Sequence, residues 1–327
     1  MRGASAMDQG RQDSNRGPRL ALRVAWLVAG AALVGCSAGN ADKLVWGRTP
    51  SVAPDGATMV FCQNLSTPSD RLTGTVSVLD AGAVWRCATD GANAVKLTPG
   101  GRGPDFYPTI SPDGTRIAFI SAEDRQFDLW VANIDGSGRH KLTFDLASDT
   151  LPAWSPDGRR IAFVSDRAGN SDIWVINTDG GGLRPLVAFA SDEASPAFSP
   201  DGTQLAFSST RDRGNFDIWV IGTDGSGLRQ VTRKEAANTR ITDGNPDWSR
   251  PDGAQIIFQR WDGNWDVYRC QADGSGLTQL TQDGDHQGDP RFAPDGSIFF
   301  TSSRSGWWQI WRMAADGSDQ RQITGRR

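Results

Sequence analysis

The sequence predicts an all-β chain: a single six-bladed β-propeller of four-stranded antiparallel blades, preceded by a cleaved signal peptide. Three observations carry this. Pro-Asp-Gly occurs at Pro54, Pro112, Pro156, Pro200, Pro251 and Pro294, at spacings of 58, 44, 44, 51 and 43 residues. Each copy opens the same stretch of alternating apolar residues. Units of about 44 residues account for nearly everything from Thr49 to Thr324, so no second domain is required.

The elements of one unit follow in order from Leu151. Strand A is expected at Pro152 to Ser155, and Pro156-Asp157-Gly158 joins it to strand B, because proline presets φ and glycine accepts positive φ. Strand B, within Arg159 to Arg167, puts Ile161, Phe163 and Ser165 on one face and Ala162 and Val164 on the other. Strand C carries Ile173-Trp174-Val175-Ile176, and Asp179-Gly180 turns the chain into a short strand D near Leu183 to Val187. Strands apolar on both faces suit a blade sandwiched between two others. Large residues recur in register: Phe61, Phe119, Phe163, Phe207, Phe258 and Phe300 on strand B, and Trp85, Trp130, Trp174, Trp219, Tyr268 and Trp311 on strand C. Periodicity assigns them to packing between blades rather than to ligand stacking. Each unit contains its own outer strand, which leaves Leu44-Val45-Trp46 to cover the junction of blades 1 and 6.

Trp154-Ser155-Pro156-Asp157-Gly158, Ile161-Ala162-Phe163-Val164-Ser165, Asp172-Ile173-Trp174-Val175 and Thr223-Asp224-Gly225-Ser226-Gly227 together resemble the TolB-type propeller repeat, a WD-repeat-like family, across all six units. The sequence leaves no room for the α/β domain that precedes such a propeller, so the resemblance is to the propeller alone. It implies a cell-envelope protein that binds partner proteins through the channel face, such as a peptidoglycan-associated lipoprotein or a Tol-like membrane protein.

The amino end fits that compartment. Arg16, Arg19 and Arg23 precede an apolar run from Val24 to Val34, too short for a comfortable membrane span, and Leu33-Val34-Gly35-Cys36 follows. Residues 1–35 read as a signal peptide with a lipobox over Leu33 to Cys36. Residues 36–46 then form a lipidated amino terminus and tether, and residues 47–327 the propeller. Cys36 is the lipidation site, and Ser37 beside it resembles the default for outer-membrane sorting, facing the periplasm. Ordinary secretion with an incidental cysteine is the alternative. Ser37 to Asp42 reach at most about 20 Å.

Removing the signal leaves 29 basic and 36 acidic residues, a balance that disfavours nucleic acid as a partner. Membrane contact is expected through the lipid alone, and the chain is expected to be a monomer. Of the remaining cysteines, Cys62 and Cys87 in blade 1 point to opposite faces in the expected register, so buried thiols are expected there and at Cys270.

Catalytic constellations are sparse. Gly35-Cys36-Ser37-Ala38-Gly39 straddles the cleavage site and follows no strand, so it makes no nucleophile elbow. The only histidines are His140 and His286, with no His-Glu-x-x-His and no Cys-x-x-Cys, which argues against zinc. The Asp-Gly-Ser-Gly turns at Asp135, Asp224 and Asp273 offer one carboxylate each, too few for a calcium loop. No cofactor and no metal is predicted, although a ring of acids holding Ca2+ or another cation stays as an alternative.

What remains is a surface. Three residues before the strand-A proline stand Asp105, Asp149, Glu193, Asp243 and Gln287 in blades 2 to 6, and Gly47 in blade 1, which predicts an acidic ring at the channel mouth where the B–C and D–A loops emerge. Arg125, Arg167, Arg211 and Arg304 of the same loops are the partners that would turn these acids into inter-blade ties instead. Trp261, Trp265, Trp307 and Trp308 and the blade-1 insertion Gln63 to Ala83 reach the same end. Trp265 and Trp308 align with Phe127 and Phe216, whereas Trp261 and Trp307 have no aromatic counterpart and are the sharper contact candidates. The leading expectation is a non-enzymatic envelope binding lipoprotein that presents an acidic, aromatic-flanked mouth to a protein or peptide. The alternative is a carbohydrate-binding or carbohydrate-active propeller using the rim carboxylates.

Overall fold

The computed structural model describes residues 47–64, 82–99, 103–233, 241–306 and 308–325, and all their regular elements are strands. These form six antiparallel four-stranded sheets, each ordered A-B-C-D along the chain. The signal peptide, Cys36, Leu44-Val45-Trp46, the central part of the blade-1 insertion and Trp307 lie outside the described residues.

Blade 3 shows the plan: strand A Asp149–Trp154, B Arg160–Ser165, C Asp172–Asn177 and D Arg184–Val187. Phe163 pairs with Trp174, the register expected from the apolar pattern. Blade 1 pairs Cys62 with Val84 and Cys87 with Met59, and all three described cysteines are buried thiols. Strand-B phenylalanines are wholly or nearly buried, and each inter-blade layer takes residues from both of its neighbours. Among the described residues the ring closes by packing: Met59, Phe61 and Cys87 of blade 1 meet Ala293, Phe299 and Ile310 of blade 6.

Three features differ from the sequence reading. Strand A starts three residues earlier than Pro152, at Asp149, so the repeat-related acid is part of the strand rather than of the loop before it. In blade 1, strand B extends to Asn64 and strand C begins at Gly82, so both ends of the expected insertion are ladder residues. The third difference is a bulge in every strand A. In each blade the residue before the strand-A proline is left-handed: Thr49, Tyr107, Leu151, Ser195, Asn245 and Asp289 have φ between 48° and 54°. The A–B register shifts at the same place in each blade. The cause is local. Proline's ring disfavours the right-handed helical region for the residue before it, and proline has no N–H to place in the ladder, so the chain passes through a bulge. A non-glycine residue held there costs about 1 to 2 kcal/mol, and the repeat places six of them around the axis.

Candidate functional site

The acids at the start of strand A lie beneath the rim. Asp105, Asp149, Glu193, Asp243 and Gln287 are all at most 1% exposed. Each acid meets an arginine whose guanidinium lies over the strand-B and strand-C aromatics of its blade. Arg167 Nη2 bonds both carboxylate oxygens of Asp149 at 2.9 and 3.2 Å, and its Nε bonds Ser165 Oγ at 2.8 Å. The same guanidinium sits 5.0 Å from the Trp174 ring centroid and 5.4 Å from that of Phe163. Arg260 holds Asp243 through Nε at 2.7 Å and Nη2 at 2.9 Å, over Tyr268 at 5.1 Å. The aromatic face shields the cation while the carboxylate neutralises it, which is how a charge pair tolerates burial.

Two of the expected arginine partners differ. Arg125 is exposed, and Asp105 instead meets Arg139 from the C–D side of its blade, at 3.4 Å. In blade 6, where Gln287 replaces the acid, Arg304 pairs with Asp283 at 2.7 Å, and Gln287 Nε2 donates to that same carboxylate at 2.6 Å. Arg260 was absent from the expected set because it lies in strand B rather than in the B–C loop.

Glu193 is the loosest tie. Arg211 Nη2 stays 3.7 Å from its Oε1, which accepts from Ser191 at 2.5 Å and Ser209 at 2.9 Å. No donor among the described residues reaches Oε2. Burial pushes this carboxyl up to about 7, against those hydrogen bonds, and the neighbouring Asp172 raises it further. Burial likewise pushes Asp149 up to about 6, against the pull of Arg167.

The described tryptophans of this end do come together in part. Trp261 and Trp265 have ring centroids 5.6 Å apart, and Trp261 stacks on His286 at 5.8 Å. Trp265 is buried, whereas Trp261 and Trp308 are half-buried. Phe216, the counterpart of Trp308, packs on Val164 and Ala194, so these positions also cap neighbouring blades.

A central cavity of about 510 Å³ is lined in blades 1 to 5 by strand A from the left-handed residue to the Pro-Asp-Gly turn, and in blade 6 by Arg291, Phe292 and Pro294. None of the five predicted rim residues lines it; Tyr107, Leu151, Ser195 and Asn245 do, with the strand-A and turn prolines. One side of this wall is tied by a chain of hydrogen bonds across three blades. Ser195 Oγ donates to Asn245 Oδ1 at 2.6 Å, and Asn245 Nδ2 donates to Asp289 Oδ1 at 2.7 Å. Gln259 Oε1 accepts from Asn245 Nδ2 at 3.2 Å and from the Asp289 N–H at 2.9 Å. At Gly288 a Cβ would stand 2.8 Å from Gln259 Oε1 and would displace that amide from the chain of hydrogen bonds. The signal for this site was present in sequence as six X-Pro pairs in strand A, but a pair of residues does not disclose a bulge.

The Asp-Gly-Ser-Gly turns close on themselves, with Asp135 Oδ1 accepting from the Ser137 N–H at 2.9 Å and its hydroxyl at 2.6 Å. Among the described residues no group of three or more His, Cys, Asp or Glu side chains is arranged to hold a metal ion.

A family model for the TolB beta propeller domain matches residues 88–192 and 233–327. Over 44 residues the chain is 54% identical to the Tol-Pal system protein TolB of Anaeromyxobacter dehalogenans (strain 2CP-C), a stretch that is 14% of this chain and 10% of that protein. The fold is similar to TolB from Acinetobacter baumannii, with a TM-score of 0.63 and 17% identity over 95% of this chain and 70% of that one. It is also similar to oligogalacturonate lyase from Vibrio parahaemolyticus, with a TM-score of 0.55 and 13% identity over 86% of this chain and 78% of that one. At such identities the likeness is one of fold, and that fold serves an enzyme as well as a TolB.

Proposed function

The chain belongs to the TolB β-propeller family, and from that premise we propose that it is a non-enzymatic binding module of the cell envelope that receives a protein or peptide partner at its channel. The central cavity is the observation that carries this reading. It is walled by prolines and by five residues, Thr49, Tyr107, Leu151, Ser195 and Asn245, held in a strained conformation that only the surrounding fold maintains. A rigid wall of this kind binds without paying to order itself.

In this reading Trp261 and Trp308 form the outer contact with Trp265 packed behind Trp261, and Trp307 is proposed as a further contact from its place in the sequence. Asp105, Asp149, Glu193, Asp243 and Gln287 hold the strands that present it. The family membership, the match to a Tol-Pal system protein and the sequence of residues 1–35 support a periplasmic location, with the chain tethered to the outer membrane through lipid on Cys36. The carbohydrate-active reading draws less support, because its candidate carboxylates are buried and Asp149 and Asp243 are held by arginines.

The test is cross-linking capture from envelope extract with three proteins: the parent, a channel variant (Tyr107→Ala with Leu151→Gly) and a rim variant (Trp261→Ala with Trp308→Ala), each checked for folding. A partner held by the parent and lost by a folded variant supports the reading and assigns the surface. No capture by the parent, or equal capture by all three, contradicts it.

A further inference from the structure

The repeat gives every blade the same positions on the cavity wall, and the departures from the repeat gather at one pole. One residue after the strand-A proline the blades carry Ser51, Thr109, Ala153, Ala197, Asp247 and Arg291, so four are small and the two charged ones are neighbours, in blades 5 and 6. Before Pro-Asp-Gly the other blades have Ser or Ala directly preceding the proline, whereas blade 5 reads Ser249-Arg250-Pro251. This one-residue insertion stands an exposed arginine in the ring of turn prolines.

The charged side chains lining the cavity are therefore Asp247, Arg250 and Arg291. Asp247 is committed internally: it is 7% exposed, and its Oδ2 accepts the Phe292 N–H at 2.8 Å, stitching blade 5 to blade 6. The half-buried Arg291 is oriented rather than neutralised. Its Nη1 donates to the backbone carbonyls of Pro290 at 2.8 Å and Asn245 at 3.5 Å, which leaves Nε and Nη2 without a hydrogen bond among the described residues. Arg250 makes neither a hydrogen bond nor an ion pair among the described residues. This contrasts with the rim, where Arg139, Arg167, Arg211, Arg260 and Arg304 each face a carboxylate. It also contrasts with the chain as a whole, whose net charge is −4.

We propose that the blade 5–6 pole of the cavity binds a carboxylate of the partner segment, an aspartate or glutamate side chain on an extended peptide whose apolar flanks lie on the prolines and on Tyr107 and Leu151 opposite. This rests on the reading that the channel takes a peptide. Guanidinium groups match a carboxylate with a planar fork of donors, and inside a walled cavity the attraction is screened less than at an open surface. Prolines from all six blades line the cavity, an apolar wall on which the flanks of such a segment can lie.

The experiment measures anisotropy of a rhodamine-labelled octapeptide alternating proline and glutamate, beside a glutamine version of the same peptide, on the full chain. The glutamate peptide is expected to bind at least about tenfold more tightly, with a preference that weakens as salt is raised. Arg250→Gln with Arg291→Gln should abolish the preference, so that the glutamate and glutamine peptides bind that variant equally. Arg250→Gln alone, at an exposed turn, should reduce it with no risk to folding. Equal binding of both peptides overturns the carboxylate site and leaves the channel reading standing. Failure of both peptides to bind at millimolar concentration counts against both. A preference that survives the double variant puts the carboxylate elsewhere. Displacement by inorganic phosphate as effective as by unlabelled peptide makes the pole a general anion site and also overturns the proposal.

Discussion

Replacing Asp243 by asparagine tests whether the rim acids are ties. Asp243 and Arg260 form a two-bond pair at 2.7 and 2.9 Å, with side chains 0% and 8% exposed. Asparagine keeps the shape, removes the charge and strands a cation under the rim. Breaking a buried pair by removing one partner costs about 3 to 5 kcal/mol, because the charge left behind stays desolvated. The stack of Arg260 on Tyr268 persists, which argues for the lower end, about 3 kcal/mol. In a domain of this size that is a fall in Tm of roughly 6 to 12 °C. The control is Asp295→Asn, which breaks the exposed pair of Asp295 and Arg312, where the side chains are 56% and 26% exposed and the expected cost is under about 1 kcal/mol. Urea unfolding and calorimetry read both. A further variant, Asp243→Leu with Arg260→Met, should recover most of the loss. If Asp243→Asn costs no more than Asp295→Asn, the ties carry no stability and the rim acids must be explained otherwise.

Three further outcomes follow from the geometry. Glu193 is lifted by burial from its ordinary 4.5 to about 7, so the folded chain retains a proton that the unfolded chain releases. Its stabilising contribution is therefore full below about pH 4.5 and lost as pH rises through about 7, and Glu193→Gln should flatten that fall when Tm is followed from pH 4.5 to 8. Asn245→Ala should destabilise by about 2 kcal/mol, and Asn245→Gly by about 1 kcal/mol less, because both lose the Ser195–Asn245–Asp289 chain but glycine escapes the cost of φ 52°; equal losses in urea unfolding would remove the strain argument. Burial pushes the thiol of Cys87 up to about 11 and that of Cys270 up to about 12, so neither should react with a thiol reagent at pH 8 until the chain unfolds; prompt labelling of either in the folded protein would contradict their burial.

The sequence reading reached the blade and stopped short of the channel. Phe163 opposite Trp174 was legible because two-residue periodicity fixes which side chains share a face, and a one-residue slip would have exposed all of them. The acids were legible as a repeat but not as buried groups. Their burial depends on strand A starting at Asp149 and on arginines that come from three different elements, of which Arg139 and Arg260 share no position with Arg167. Gln287 in place of an acid reads as a gap in the pattern, yet Asp283 supplies the missing carboxylate from four residues upstream, a substitution visible only in three dimensions. The channel wall depends on six bulges, and a bulge is a property of two paired strands rather than of either sequence alone. Arg250 went unremarked inside the 51-residue spacing between turns, and its place in the cavity needed the ring to be closed.

The central claim, that a partner segment enters the channel, is tested most directly by site-specific photo-cross-linking in the intact envelope. A benzophenone amino acid is placed at Tyr107 on the cavity wall in one protein and at Leu228, 39% exposed near strand D on the outer edge, in another. The account predicts a discrete protein adduct from Tyr107 on irradiation and none from Leu228. No adduct from Tyr107, or the same adducts from both positions, would contradict it.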